Sequence, residues 1–119
     1  RARYPRLALG VLFVVAMTPT QRSLRYMRDQ GYVADVVEHW VPFAKVRRDL
    51  FGILDIVCLG ANETVGVQTT SASNVSARVA KITASEHLPA LRRANWTILV
   101  HGWRKSASGK WVLREVDLS

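Results

Sequence analysis

The segment from Arg47 to Asn74, RRDLFGILDIVCLGANETVGVQTTSASN, constrains the chain most, because two apolar runs flank a cluster of turn-forming residues. Residues 54–59 and 64–70 read as neighbouring strands of a hairpin closed by Gly60-Ala61-Asn62-Glu63. Asp55 opens the first strand, and Gln68-Thr69-Thr70 ends the second. Asp55 and Gln68 are thirteen residues apart, a separation that returns their side chains to the same end of the hairpin. An acid and an amide oxygen placed in this way can share a divalent cation. An Asp between Leu54 and Ile56 in an otherwise apolar strand is costly unless it is paired or liganded, which makes Asp55 the leading candidate for chemistry.

Charge supplies the next constraint. Seventeen Lys and Arg against nine Asp and Glu give a net charge of +8 on 119 residues, enough chain for one domain with one modest core. Such a protein is biased toward polyanions, because phosphate contacts release condensed counterions and dominate non-specific nucleic-acid affinity. A merely solvated basic surface is the alternative. The basic residues are dispersed along the chain, as in Arg22/Arg25/Arg28, Lys45/Arg47/Arg48, Arg78/Lys81 and Arg92/Arg93. The single cysteine, Cys58, lies in an apolar strand and reads as a small core hydrophobe, so neither a disulfide framework nor a cysteine metal site is expected. No Gly-rich phosphate loop, nucleophilic Ser/His/Asp set or nucleotide fingerprint is visible, and no small-molecule cofactor is expected.

Residues 1–16 differ from the remainder, with a basic start followed by the apolar run 7–16. The run is too short to span a bilayer. Met17 reads as the natural start, with upstream translation supplying the preceding residues; an extra strand or helix and a signal-like segment are the other readings. Residues 17–119 then form the domain. Thr18-Pro19-Thr20 caps a helix over 21–30 that Gly31 ends. Residues 32–41 predict one strand, with Val33, Val37 and Asp35 on a common face, stopped by Pro42. A charged connection over 45–49 leads to the hairpin. Residues 71–74 read as a loop and cap, 75–85 and 86–94 as helices, and 96–101 and 110–116 as the last two strands. The order is an α/β sandwich with a mixed sheet flanked by helices.

On these residues the chain resembles the PD-(D/E)xK nuclease superfamily, and most closely its small Holliday-junction-resolvase-like members. In that family an acid opens one strand and (Asp/Glu)-x-Lys closes the next, on an α-β-β-β-α-β core of the restriction-endonuclease type. The resemblance spans about residues 18–118, including a final hairpin in which His101-Gly102-Trp103 faces Trp111 to Val116. It implies a metal-dependent DNA endonuclease that uses Mg²⁺ or Mn²⁺, with Asp55, Gln68, the backbone carbonyl of Thr69 and Glu38 or Asp49 as ligands. Two positions depart from the pattern: Gln68 replaces the second acid and Thr70 stands where the catalytic Lys belongs. Lys81, Arg78 or Lys45 would then supply the missing cation. The first-helix acid usual in resolvases is also absent, its place falling near Thr20 or Gln21. Arg47, Arg48, Ser73, Asn74, Arg78 and Lys81 are the candidate DNA contacts, with Ser73 and Asn74 able either to grip a phosphate at a helix start or to serve as an ordinary cap. The implied partners are DNA, branched DNA included, and a second copy of the chain. The implied location is cytoplasmic, nucleoid-associated or phage-encoded, away from membranes. The alternative is a protein on the same fold that binds nucleic acid without cutting it.

Overall fold

In the computed structural model, which describes residues 17–119, a helix starts at the sharpest local signal in the sequence. Thr18 and Gln21 form a reciprocal capping box: the Gln21 backbone N–H donates to Thr18 Oγ1 at 3.2 Å, and the Thr18 N–H donates to Gln21 Oε1 at 3.0 Å. Pro19 occupies the first turn, where its missing N–H costs nothing. Helix α1 runs Pro19–Asp29, and Gly31 follows at φ +98°, a left-handed conformation that Gly adopts without Cβ strain. The reading of residues 1–16 as an extension lies outside the described residues.

The hairpin forms with a tighter turn than expected, because Gly60 and Glu63 pair with each other and leave only Ala61-Asn62 between the strands, while Asp55 lies just before the first strand. Strand β4 (Ile56–Gly60) pairs antiparallel with β5 (Glu63–Ser71), with Ile56 opposite Val67 and Gly60 opposite Glu63. Asn62 in the turn takes φ +63°, which Asn tolerates better than most residues. The same sheet also contains β1 (Val33–Val36), β6 (Trp96–Lys105) and β7 (Trp111–Asp117), in the order β1-β4-β5-β6-β7. Only β5 and β6 are parallel. They are joined by a 3₁₀ turn, α2 (Val75–Thr83) and α3 (Leu88–Arg93).

Helices cover both faces of this mixed sheet, as the alternation along β6 shows. Leu99 packs with Met27, Ile56, Cys58, Val65 and Val67 beneath α1, whereas Ile98 and Val100 pack with Val75, Ile82 and Leu91 from α2 and α3. Cys58 is fully buried, and burial pushes its thiol up to about 11, so it is an inert core side chain.

The expected strand over residues 32–41 is divided. Strand β1 lasts only as far as its partner, since Val36 pairs with Ile56 at the first residue of β4. Past that point a single backbone bond remains, from the Val37 N–H to the Asp55 carbonyl at 2.8 Å. The chain leaves the sheet at Val37–Glu38 and forms β2 (His39–Val41), which pairs with β3 (Val46–Arg48) in a separate two-stranded sheet. The charged connection expected over 45–49 is therefore largely a strand. Ala34, and not Val33 or Asp35, is the buried residue of β1.

Two glycines mark where elements come closest. A Cβ at Gly102 would lie 2.2 Å from Val75 Cγ2 and 3.0 Å from the Ala72 backbone, and one at Gly66 would lie 2.6 Å from the end of the Leu54 side chain. Gly102→Ala should therefore lower unfolding free energy by about 1–3 kcal/mol, the usual scale of overpacking, because backbone cannot yield. Gly66→Ala should cost less, because Leu54 can rotate. Denaturant unfolding of both variants checks the ranking, and an equal or reversed order contradicts it.

Candidate metal centre

A tight turn brings two aspartates together. Phe51 and Gly52 both take positive φ, +55° and +73°, and the Ile53 N–H donates to the Leu50 carbonyl at 3.1 Å. Two successive left-handed residues reverse the chain with the twist of a hairpin, so Leu50 bridges antiparallel to Leu54. Asp49 and Asp55 flank that bridge and become cross-strand neighbours. Glu38, released from β1 where the ladder ends, completes the group: carboxylate oxygens of Glu38, Asp49 and Asp55 all lie within 4.8 Å of one another.

Asp55 is the buried member. Its Oδ2 accepts from the Thr69 backbone N–H at 2.8 Å, from Gln68 Nε2 at 2.8 Å and from Thr69 Oγ1 at 3.1 Å. Thr69 Oγ1 lies 2.7 Å from Thr20 Oγ1, which ties α1 to the site. Because the N–H and C=O of a strand residue point to the same edge, the Thr69 carbonyl also faces Asp55. Opposite-facing groups on Gln68 serve two sets of partners. Its Nε2 donates to Asp55 and, at 3.3 Å, to Asp49, while its Oε1 accepts from Arg78 Nη1 at 3.3 Å and Lys81 Nζ at 3.4 Å. An amide can bridge acids to cations in this way; a carboxylate would satisfy only the cations. So placed, Gln68 presents nitrogen and not oxygen to the carboxylates.

Helix α2 supplies the cations. Lys81 Nζ also lies 3.8 Å from Asp49 Oδ2. Arg47 Nη1 lies 3.9 Å from Glu38 Oε1, and Arg47, Arg48, His39, Asp49, Gly52 and Lys81 line an open cleft of about 370 Å³ beside the acids. The structure thus brings together Glu38, Asp49, Asp55, Gln68, Thr69, Arg78 and Lys81, with Arg47 and Arg48 on the adjoining wall. Lys45 lies away in the β2–β3 turn. Thr70 is buried on the α2 face of β5, and no hydrogen bond joins it to the acids. Ser73 and Asn74 occupy the 3₁₀ turn, where Ser71 Oγ lies 3.2 Å from each; neither side chain caps α2, so the expected cap is absent.

One buried network carried no sequence signal. His101, fully buried, places Nδ1 2.9 Å from Ser23 Oγ and Nε2 2.8 Å from Glu115 Oε2, while Trp103 Nε1 donates to the same Ser23 Oγ at 2.9 Å. The separation of 78 residues between Ser23 and His101 hides the pairing from sequence, and because Ser23 has no exposed surface the four-residue network is a packing device and not a nucleophile with its base. Burial lowers the His101 pKa, with Glu115 opposing.

Asp55 carries the most perturbed carboxyl. Burial pushes it from its ordinary 3.8 up to about 7, the Thr69 backbone N–H opposes the rise, and neighbouring Asp49 adds to it. A folded-state value above the unfolded one stabilises the protein below pH 4 and loses that contribution as pH rises through about 7. The metal-free protein should lose on the order of a few kcal/mol between pH 4 and pH 8 from this group. His101 acts with the opposite sign, since its depressed pKa costs stability as pH falls below the ordinary 6.5. Comparing wild type with Asp55→Asn in EDTA isolates the Asp55 contribution. Melting curves that run parallel across pH 4–8 would refute it.

No protein-family model, curated protein or solved structure matches the chain. Among the described residues, no helix is long and apolar enough to cross a membrane.

Proposed function

We propose that this protein is a Mg²⁺- or Mn²⁺-dependent DNA endonuclease with a site of the PD-(D/E)xK kind on a restriction-endonuclease-like core. The observation that carries the reading is the convergence of Glu38, Asp49 and Asp55 within 4.8 Å at the end of the β4–β5 hairpin, with Lys81 against Asp49. The donor set fits a hard divalent cation: three carboxylates, two of them half-buried and one buried, with the Thr69 carbonyl edge beside them. Glu38, Asp49, Asp55 and that carbonyl would hold it. When bound, such a cation supplies charge neutralisation at a phosphate and an activated water.

The chain's own residues do the rest. Lys81 and Arg78, held by Gln68 Oε1, place positive charge beside the acids, where a family member would use a lysine at position 70. Arg47 and Arg48 line the approach for a phosphate backbone. Gln68 holds Asp55 and Asp49 through its two N–H groups and is a positioning residue in this arrangement. A second copy of the chain would be needed to cut both strands together.

A second reading, a DNA-binding protein that does not cut, is favoured by the same Gln68, because its amide adds no negative charge and turns its nitrogen to the acids. The two separate on supercoiled, branched and single-stranded DNA incubated with Mn²⁺. Cutting that disappears in EDTA supports the first. Binding without cutting of any of the three between pH 6 and pH 9 leaves only the second.

A further inference from the structure

The β2–β3 hairpin has a composition that its own folding does not require. Two three-residue strands pair only with each other, and an isolated two-stranded hairpin is marginal in water. Nevertheless it exposes large apolar side chains: Phe43 in the turn is fully exposed, Trp40 on β2 is 53% exposed and Val46 on β3 is 43% exposed. Lys45, Arg47 and Arg48 are exposed on the same arm. Lys45 and Arg48 have no carboxylate within 4.0 Å among the described residues, and Arg47 is shared with Glu38 at the arm's base. Aromatic tip and cationic flanks occur together, and the strands leave the body at Glu38 and Asp49, two members of the acid cluster.

We infer that this arm grips DNA, with Phe43 wedging between bases where stacking is already interrupted and Lys45 and Arg48 holding the flanking phosphates. The inference rests on the nuclease reading for its choice of partner, and what it adds is the element that senses interrupted stacking: the β2–β3 arm, through Phe43. Apolar wedges of this kind unstack a base step at a cost of a few kcal/mol, and that cost is smallest where pairing is already broken. Charge argues for DNA over a second copy of the chain, because a net charge of +8 makes basic faces repel one another. An open cleft lined by Arg47, Arg48 and Lys81 beside the arm continues the same cationic surface toward the acids.

Binding is measured in EDTA, so that it reads the arm and not cutting, on a four-way junction and a continuous duplex carrying 2-aminopurine. Phe43→Ala should weaken junction binding by about tenfold or more, the scale of one lost aromatic–base stack, and abolish the fluorescence rise, while changing duplex binding little. Phe43→Trp should retain both. Lys45→Ala with Arg48→Ala should weaken both substrates alike and flatten the salt dependence. Because Phe43 is fully exposed, these variants should fold as wild type does. Junction binding and fluorescence unchanged in Phe43→Ala would overturn the inference, whether or not the protein cuts DNA. So would a Phe43 dependence confined to anionic vesicles or to self-association. Conversely, Phe43-dependent junction binding by a protein that never cuts with Mn²⁺ would leave the arm standing and remove the nuclease.

Discussion

Asp55→Asn should reduce Mn²⁺-dependent cutting by on the order of 10³-fold or more while leaving the fold intact. The scale exceeds the 10²–10³ typical of one preorganised electrostatic contact, because the change removes a ligand charge as well as a hydrogen-bond acceptor. Asn preserves shape, and its carbonyl oxygen can still accept from the Thr69 N–H that Asp55 now engages at 2.8 Å. Loss of cutting therefore would not reflect collapse of the hairpin. The same substitution should raise the melting temperature of the metal-free protein at pH 8, because a carboxylate that burial disfavours has been replaced by a neutral group. It should also abolish the stabilisation that Mn²⁺ would give wild type, since a ligand at free concentration L that binds only the folded state stabilises it by RT ln(1 + L/Kd), which vanishes when affinity is lost. Opposite movements of stability and activity distinguish a metal ligand from a structural acid. A variant that cuts like wild type removes Asp55 from the site.

Lys81→Met should lower the cutting rate by on the order of 10²-fold without weakening Mn²⁺ binding. Lys81 Nζ lies 3.8 Å from Asp49 Oδ2 and 3.4 Å from Gln68 Oε1, so it competes with a cation for the same carboxylate and neutralises nothing that the cation could not. Metal affinity, read by the Mn²⁺ dependence of the melting temperature, should hold or tighten as the rate falls. That split would assign the ammonium to the phosphate and not to the acid cluster. Thr70→Lys tests the assignment from the other side, since position 70 lies on the same strand face as Gln68. Added to Lys81→Met, it should recover part of the lost rate; added to wild type, it should change little. A rate loss in Lys81→Met matched by an equal loss of metal affinity would make Lys81 a scaffold for Asp49 alone.

The parts of this arrangement that could be read from sequence are those that depend on neighbours along the chain. Asp55 and Gln68 meet because a two-residue period and a Gly/Asn turn act over fourteen residues, and the register Ile56 to Val67 follows from them. Capping at Thr18 and the stop at Gly31 were equally local. The division of residues 32–41 was not, because β1 ends where its partner begins, which is a property of β4. Lys45 to Asp49 looked like a connection because its charges conceal a strand whose partner is three residues long. Glu38, Asp49 and Lys81 could be nominated by residue type, but the turn at Phe51–Gly52 that sets Asp49 beside Asp55 requires a left-handed Phe, which propensity argues against. The orientation of Gln68 is decided by Arg78 and Lys81 on a helix of the opposite layer. Nothing in the local pattern reveals which end of an amide faces an acid.

The β2–β3 arm is attached to the body through Glu38 and Asp49, and this has a thermodynamic corollary. Whatever immobilises the arm also restricts two of the three carboxylates, and whatever restrains those carboxylates reduces the freedom of the arm. Linkage then requires symmetry: the factor by which an arm ligand raises cation affinity equals the factor by which the cation raises affinity for that ligand. Coupling of this kind needs no displacement of the five-stranded sheet, because the arm adjoins Glu38 and Asp49 directly in the chain. If the acid cluster holds a cation as proposed, it would hold it most tightly with the arm already engaged.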